Sequence, residues 1–509
     1  MIVRFLFIII SFLITVPSLA QKEDTVVSIQ ENALERERLW QDFSKALYLN
    51  PALNYYRYNT HLSTISVSGT HEELYHSTLI EEGAGWKGYK VDAQSYIRLT
   101  ANSCIWGHAY YNNGIRKNVL WNESSDYDKL YPYVAADTIG GDMKSNTYFF
   151  KGGYSQQHQK WTFGAEFSYR ALQEYRSTDP RPRNLVADLQ GAVGVAYELS
   201  PRYTVAVKAE ANKYKQNSSI KYFNELGVSK TFHLQGLGTS YVRFDGTHTS
   251  INFQGKMFGI GLNLLPTTSA KGAFSSIYYH HSSYEKLLPS SNDIVLNSIK
   301  ETIVEGDAGW SAATPDQEWG IKGSAFYKNH TGDEHLYGDA AGNMFPHLAT
   351  KEGYKHKQLR GALAAFYERA ANNSWIWGGK LEMGYSSNKE NHYSSQNRMK
   401  YNAVDVALTA VSHWTWNRHR LDTEIGGSYR KSMDGDLRIN TTTVPMAVEI
   451  LERNYEILGA DPIGYHISAK WSEVILKNKL LHLQCLWSQK RYNSQHKGHF
   501  IEVNMGVSF

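Results

Sequence analysis

One pattern governs what this chain can fold into. From near residue 61 to Phe509, runs of roughly ten residues alternate apolar and polar side chains. In 160–172, Trp161, Phe163, Ala165, Phe167 and Tyr169 share one parity, and Thr162, Gly164, Glu166, Ser168 and Arg170 share the other. A strand sends successive side chains to opposite faces, so such a segment has one apolar and one charged face. The pattern recurs: Tyr203, Val205, Val207, Ala209 and Ala211 oppose Thr204, Lys208, Glu210 and Asn212. Trp375, Trp377, Leu381, Met383 and Tyr385 oppose Lys380, Glu382 and Ser386, while Leu421, Ile425 and Tyr429 oppose Arg418, Arg420, Asp422, Glu424 and Arg430. A helical period of 3.6 accounts for none of these segments.

About eighteen such runs are counted, from 61–69 to 497–509, with sixteen the next count; 215–250 is the hardest stretch to divide. Their connections alternate. Tight turns are expected at Asn102, 156–158, 199–201, 371–373 and 413–416, and long polar stretches at 112–144, 215–248, 330–355 and 433–461. A soluble β-sandwich has no reason to alternate so regularly, whereas a transmembrane barrel has short periplasmic turns and long extracellular loops. The expected fold is therefore all-β: an antiparallel transmembrane β-barrel. Tryptophans agree. Trp161, Trp319, Trp375, Trp377, Trp414, Trp416 and Trp471 fall near the short turns, and Tyr169, Tyr385 and Tyr429 toward the long loops, as two interfacial girdles require.

Composition enters as a filter. Aromatics are 13% of the chain, with 35 Tyr, and Pro is scarce at 12, which suits long strands. Arg4, the apolar stretch 5–16 and Ser18-Leu19-Ala20 have the build of a secretory leader cleaved before Gln21. Of 53 basic and 49 acidic residues only Arg4 leaves with the leader, so the remainder nearly balance and no cationic excess exists for a nucleic-acid partner. The division expected is 1–20 leader, 21–60 a separate N-terminal segment and 61–509 barrel. In 31–47, Leu34, Leu39, Phe43, Ala46 and Leu47 have helical spacing ahead of Pro51, giving a short amphipathic helix that plugs the lumen, caps the periplasmic mouth or docks loosely.

The C-terminal run places Ile501, Val503, Met505, Val507 and Phe509 on one parity and stops on the aromatic. This resembles the recognition signal of barrels inserted by the outer-membrane assembly machinery. The resemblance implies that machinery and outer-membrane lipid as partners. Segments such as Trp106-Gly107-His108-Ala109-Tyr110-Tyr111 and Asn50-Pro51-Ala52-Leu53 make the whole chain similar to the large outer-membrane barrels of Bacteroidota. That likeness implies location and fold and leaves the cargo open.

Chemistry-bearing motifs are few. There is no G-x-S-x-G, H-E-x-x-H, phosphate loop or Cys-x-x-Cys, and no cofactor is expected. His71 and His76, His330 and His335, and His280-His281 are metal-like pairings, each more often loop chemistry than a site. Inward-facing charges carry more meaning: Glu166, Arg170, Lys208, Glu210, Lys322, Arg360, Lys380, Glu382, Arg418, Arg420, Asp422, Glu424 and Arg430. They either line a hydrated path for a polar solute or pair across strands and stiffen the wall. Cys104 and Cys485 fall on strands four spacings apart around the closure, about 19 Å at the usual interstrand distance, too far for a disulfide. The reading is a passive or accessory channel rather than an enzyme. Its rivals are a scaffold for surface lipoproteins or secretion machinery, and a lipase- or protease-type enzyme on the rim.

Overall fold

In the computed structural model, the residues described are 29–75, 78–224, 230–247, 250–266, 271–340, 342, 344–372, 374–476, 478–492 and 496–509. The expected leader, 1–20, lies outside them. Every alternating run becomes a strand of one eighteen-stranded antiparallel sheet. In chain order these are β1 Leu62–Tyr75, β2 Gly85–Thr100, β3 Ser103–Val119, β4 Gly141–His158, β5 Trp161–Arg176, β6 Arg181–Ser200, β7 Tyr203–Lys221, β8 Ser250–Pro266 and β9 Gly272–Leu288. There follow β10 Ile294–Ala313, β11 Gln317–Tyr337, β12 His347–Asn372, β13 Trp375–His392, β14 Asn397–Trp416, β15 His419–Arg438, β16 Ile463–Leu476, β17 Lys479–Arg491 and β18 Lys497–Ser508. Each strand pairs with the next. β18 pairs with β1, with Ser508 opposite Thr64 and Met505 opposite Val67, so the sheet closes on itself.

The outward parity is an apolar belt. Phe163, Phe167, Val193, Val207, Ile260, Leu262, Ile321, Leu363, Leu408 and Ile425 all stand exposed on it. At the short-turn end the belt is edged by exposed Trp161, Trp319, Trp375, Trp377, Trp414 and Trp416. Ile501, Val503, Met505 and Phe509 join the belt, and the Phe509 backbone exchanges hydrogen bonds with Ser63 across the closure.

Two expectations about the connections change. Among the described residues the turns fall at 101–102, 159–160, 201–202 and 417–418, displaced by up to a few residues, and 371–372 of the turn expected at 371–373 belong to β12. More importantly, the long stretches shrink, because the strands run on past the apolar belt. β12 has 26 residues, where a tilted membrane strand needs about ten. The stretch 330–355 is mostly wall, with a connection of only 338–346, and the loop-side connection 177–180 is as short as a turn. Above the belt both faces meet water, so apolar alternation fades while backbone pairing continues. That is why these extensions read as loop.

The interior is occupied from both ends. From the short-turn end, 29–60 enters as α1 Ile29–Glu37, α2 Leu39–Phe43 and 3₁₀ turns at Lys45–Leu49 and Pro51–Tyr56. The single amphipathic helix expected over 31–47 is broken at Arg38, whose backbone is extended. Its guanidinium pairs with the buried wall carboxylate Glu368, whose other oxygen accepts the Leu39 N–H at 2.9 Å. Arg38 is thus held outside the helix while the first free N–H of α2 is capped. From the loop side, 120–140, 230–247 and 439–462 fold inward. They carry α3 Tyr127–Leu130, α4 Ala447–Leu458 and a small sheet built from Ala135–Ala136, Phe232–Gly236 and Thr239–Ser240.

Candidate functional site: the barrel lumen

The lower layer is apolar at its centre and ionic at its rim. Leu39, Trp40, Phe43, Leu47, Ala52 and Leu53 are buried against wall residues Ala196, Ala206, Leu265, Phe274, Ala364, Phe366 and Val411. Two glycines make the approach possible. A side chain at Gly164 would collide with the backbone of Pro51 and Ala52, and one at Gly194 with the Asn50 amide. Polar wall groups then satisfy the segment's backbone, which closed-barrel interiors must do by side chains or water. Lys322 donates to the Phe43 carbonyl at 2.8 Å, Tyr278 to Ala46 at 2.8 Å, Arg98 to Tyr55 at 2.7 Å, and Arg420 to Gln30 at 3.0 Å. Lys380 meets Asp42 at 2.6 Å and Lys470 pairs with Glu37. Burial alone would raise the Asp42 carboxyl, but the Lys380 and Lys45 ammonium groups hold it below the usual carboxylate range.

One corner of this layer looks like a metal site and is built as an anchor. Carboxylate and imidazole atoms of Glu37, His413 and Asp422 lie within 4.8 Å of one another. Arg420, fully buried, donates to Asp422 at 2.7 Å and stands 3.4 Å from Glu37, while His413 bonds the other Asp422 oxygen at 2.8 Å. The guanidinium already supplies the cation that these carboxylates require.

The upper layer joins three loops to the wall. Tyr127, Leu130, Tyr133 and Val134 pack on Tyr214, Phe253, Tyr284 and Tyr354. Lys286 donates to the Val134 carbonyl at 2.9 Å, Arg170 forks onto Asp126 at 2.9 and 2.6 Å, and Arg176 holds Asp137 at 2.6 Å. Glu81, in the connection between β1 and β2, is buried beneath α4. Its carboxylate takes the Asn454 amide at 3.2 and 3.1 Å, and its carbonyl takes Asn122 at 3.0 Å, so it ties the β1–β2 connection to 120–140 and to 439–462. Burial pushes the Glu81 carboxyl up to about 7.

Between the layers lies a belt of paired charges. Glu166 takes Lys151 at 2.8 Å and the Trp106 indole at 2.7 Å. Glu210 is shared by Lys208 at 2.9 Å and His280 at 2.7 Å, Glu424 bonds His466 at 2.9 Å, and Arg430 stands 3.8 Å from Asp405. Arg360 and Glu382 are exposed to the lumen. The exception among the thirteen inward charges is Arg418, which sits in the 417–418 turn, exposed and outside the wall. The two strand parities could not place it, because a shift of two residues in the turn removes it from the strand.

Three cavities run through this interior, of about 360, 560 and 290 Å³. The first and second share Tyr127 and Asp128, and the second and third share Lys129, Arg170 and Asp188. The third reaches Gln190, Asn212 and His280 of the central belt.

The metal-like histidines take other partners. His280 serves Glu210, His281 points to the outer face beside Thr302, His330 bonds Glu301 at 3.1 Å, and His335 bonds Ser298 at 3.2 Å. His71 bonds Glu73 at 3.2 Å, and His76 lies outside the described residues. Cys104 is buried on the inner face and Cys485 exposed on the outer face; both are free thiols. Sequence reasoning missed Glu368, Lys470, Lys286, Arg98 and Glu81. The first four carry the inward parity, but nothing in their own strands distinguishes a residue that grips a distant segment from one that faces water.

Comparison with known proteins gives a family. A family model described as a family of unknown function (DUF6850) matches residues 51–509. Among solved structures, the chain is similar to the outer membrane transporter YddB from Escherichia coli, at 8% identity, 87% of this chain, 81% of that one and a TM-score of 0.41. It is similar to the ferric yersiniabactin uptake receptor FyuA from Yersinia pestis, at 8% identity, 88% and 80% coverage and a TM-score of 0.39. It is also similar to the Ralstonia pickettii toluene transporter TbuX, at 9% identity, 91% and 92% coverage and a TM-score of 0.29. No curated protein matches the sequence.

Proposed function

Because the chain belongs to this family of unknown function, DUF6850, membership supplies no activity, and we propose from the lumen itself that the protein is a gated outer-membrane barrel admitting a polar solute. The setting we infer is a Gram-negative outer membrane of the Bacteroidota type, reached through a cleaved leader. The final strand, with Ile501, Val503, Met505, Val507 and Phe509, would serve the assembly machinery. One observation carries the transport reading. Cavities with shared walls lead beneath the inward loops to the central belt, most of whose charges are paired with one another, while the exit is closed by 29–60 through non-covalent contacts alone. A polar belt with charges of both signs, most of them paired, favours polar solutes without selecting strongly for one sign of charge. Gating is displacement of 29–60.

A second reading, a scaffold barrel binding surface lipoproteins or secretion machinery, is favoured by the apolar clusters that fill both ends of the lumen. Planar-bilayer recording separates the two. The full chain is expected to be mostly closed with rare openings, and a variant lacking 29–60 to give stable unitary currents. Silence of both would sink the transport reading and leave the scaffold.

A further inference from the structure

A chamber of about 360 Å³ lies beneath α4. Its roof is apolar, from Leu79, Trp121 and Leu451; its floor is the polar inner wall of β12 and β13, including Gln358, Arg360 and Asn388. Most of its charges are spent on neighbours. Lys328 is held by Glu301 at 2.6 Å. Glu390 takes the Tyr131 and Tyr354 hydroxyls at 3.0 and 2.9 Å, and Glu81 takes Asn454.

Two charges are not spent. Among the described residues, Arg360 has no carboxylate within ion-pair distance. It rests 5.7 Å from the Phe326 ring and, with the Gln358 amide turned to meet it, donates to that oxygen at 2.6 and 3.0 Å. Asp128, on α3 at the loop side of the same chamber, is exposed and likewise has no cation within that distance. A wall guanidinium and a loop carboxylate, both unneutralised in one cavity with an apolar roof, are complementary to a ligand carrying both charges and an apolar side chain.

We propose that this chamber binds a zwitterion, a short peptide or amino acid, with its carboxylate on Arg360, its ammonium on Asp128 and its apolar side chain under Trp121 and Leu451. This rests on the transport reading and names its solute class.

The test is equilibrium binding to the full chain in detergent, by calorimetry. The probes are leucyl-phenylalanine, its N-acetylated form and its C-terminal amide. The free dipeptide is expected to bind saturably, and each blocked form about tenfold or more weakly, as loss of a charge-assisted contact implies. Arg360→Gln is expected to erase the penalty of amidation while keeping that of acetylation, and Asp128→Asn the reverse. Both residues are exposed to the cavity, so heat-modified gel mobility is expected to show both variants folded. Equal binding of free and blocked forms, no binding at all, or an amidation penalty that survives Arg360→Gln overturns the proposal. Currents from the variant lacking 29–60 without dipeptide binding would retire this chamber and leave the transport reading standing.

Discussion

Phe43→Ala tests whether 29–60 is held chiefly by its apolar centre. The Phe43 ring is about 1% exposed, 4.7 Å from Phe366 and 6.0 Å from Phe274 between centroids, with Trp40 at 6.4 Å. Removing a ring so enclosed costs about 3–5 kcal/mol, from lost burial and the cavity left behind. The wall does not share that cost, because eighteen antiparallel pairings close it independently of the segment. The whole loss therefore falls on docking. At about 1.4 kcal/mol per tenfold change, the released population rises by roughly two to three and a half powers of ten. Protease cleavage within 29–60, followed on the protein in detergent, is expected to quicken by a comparable factor, and liposome permeability to a small neutral sugar is expected to rise with it. Leu49→Ala, at an exposed position, serves as the control and is expected to change neither. Two results refute the reasoning. Unchanged cleavage means that the apolar centre does not hold the segment. Faster cleavage with unchanged permeability means that the segment is not what closes the lumen.

Other consequences follow from particular groups. Glu81 is raised from the ordinary carboxylate range to about 7 by burial. Its neutral form therefore fits the folded cap, and the contribution is complete below the unfolded value near 4.5 and lost as pH rises through about 7. The cost of docking α4 above that pH is about 3 kcal/mol. The protection of 447–458 against hydrogen exchange, corrected for the intrinsic pH dependence of amide exchange, is expected to fall between pH 5 and 8, and Glu81→Gln to remove that fall; a protection factor constant with pH in the wild type counts against it. Lys380→Gln leaves Asp42 without its nearest cation and, because the pair is partly exposed, is expected to loosen 29–60 by about 0.2–1 kcal/mol, read by the same cleavage assay, with 1 M salt reproducing part of the effect. A lipid-soluble maleimide is expected to label Cys485 in liposomes, while Cys104 stays unlabelled until 29–60 is removed; prompt labelling of Cys104 contradicts the packing described. Deleting Phe509 is expected to cut the amount assembled in the outer membrane several-fold without changing synthesis, measured by membrane fractionation.

The alternation of 160–172 was enough to assign Phe163 to one face and Glu166 to the other, because a strand has a period of two and hydrocarbon tolerates only one of the two sets. The same local rule located eighteen strands and the tryptophan edge. It failed where its physical cause stops. Above the apolar belt, water lies on both faces, so the upper half of β12 carries no alternation and only its pairing partners reveal it as wall.

The charges show the second limit. Parity alone turned Lys322, Lys380 and Arg420 inward, but it could not say that each would meet a carbonyl or carboxylate of 29–60, hundreds of residues away in sequence. It gave no reason to single out Glu368, whose importance comes from the Leu39 N–H and Arg38 brought to it. Which face a side chain takes is a local property of the backbone and its solvent, and so is written in the sequence. What fills the enclosed space depends on which distant groups the closed wall confronts, and only the tertiary structure decides that.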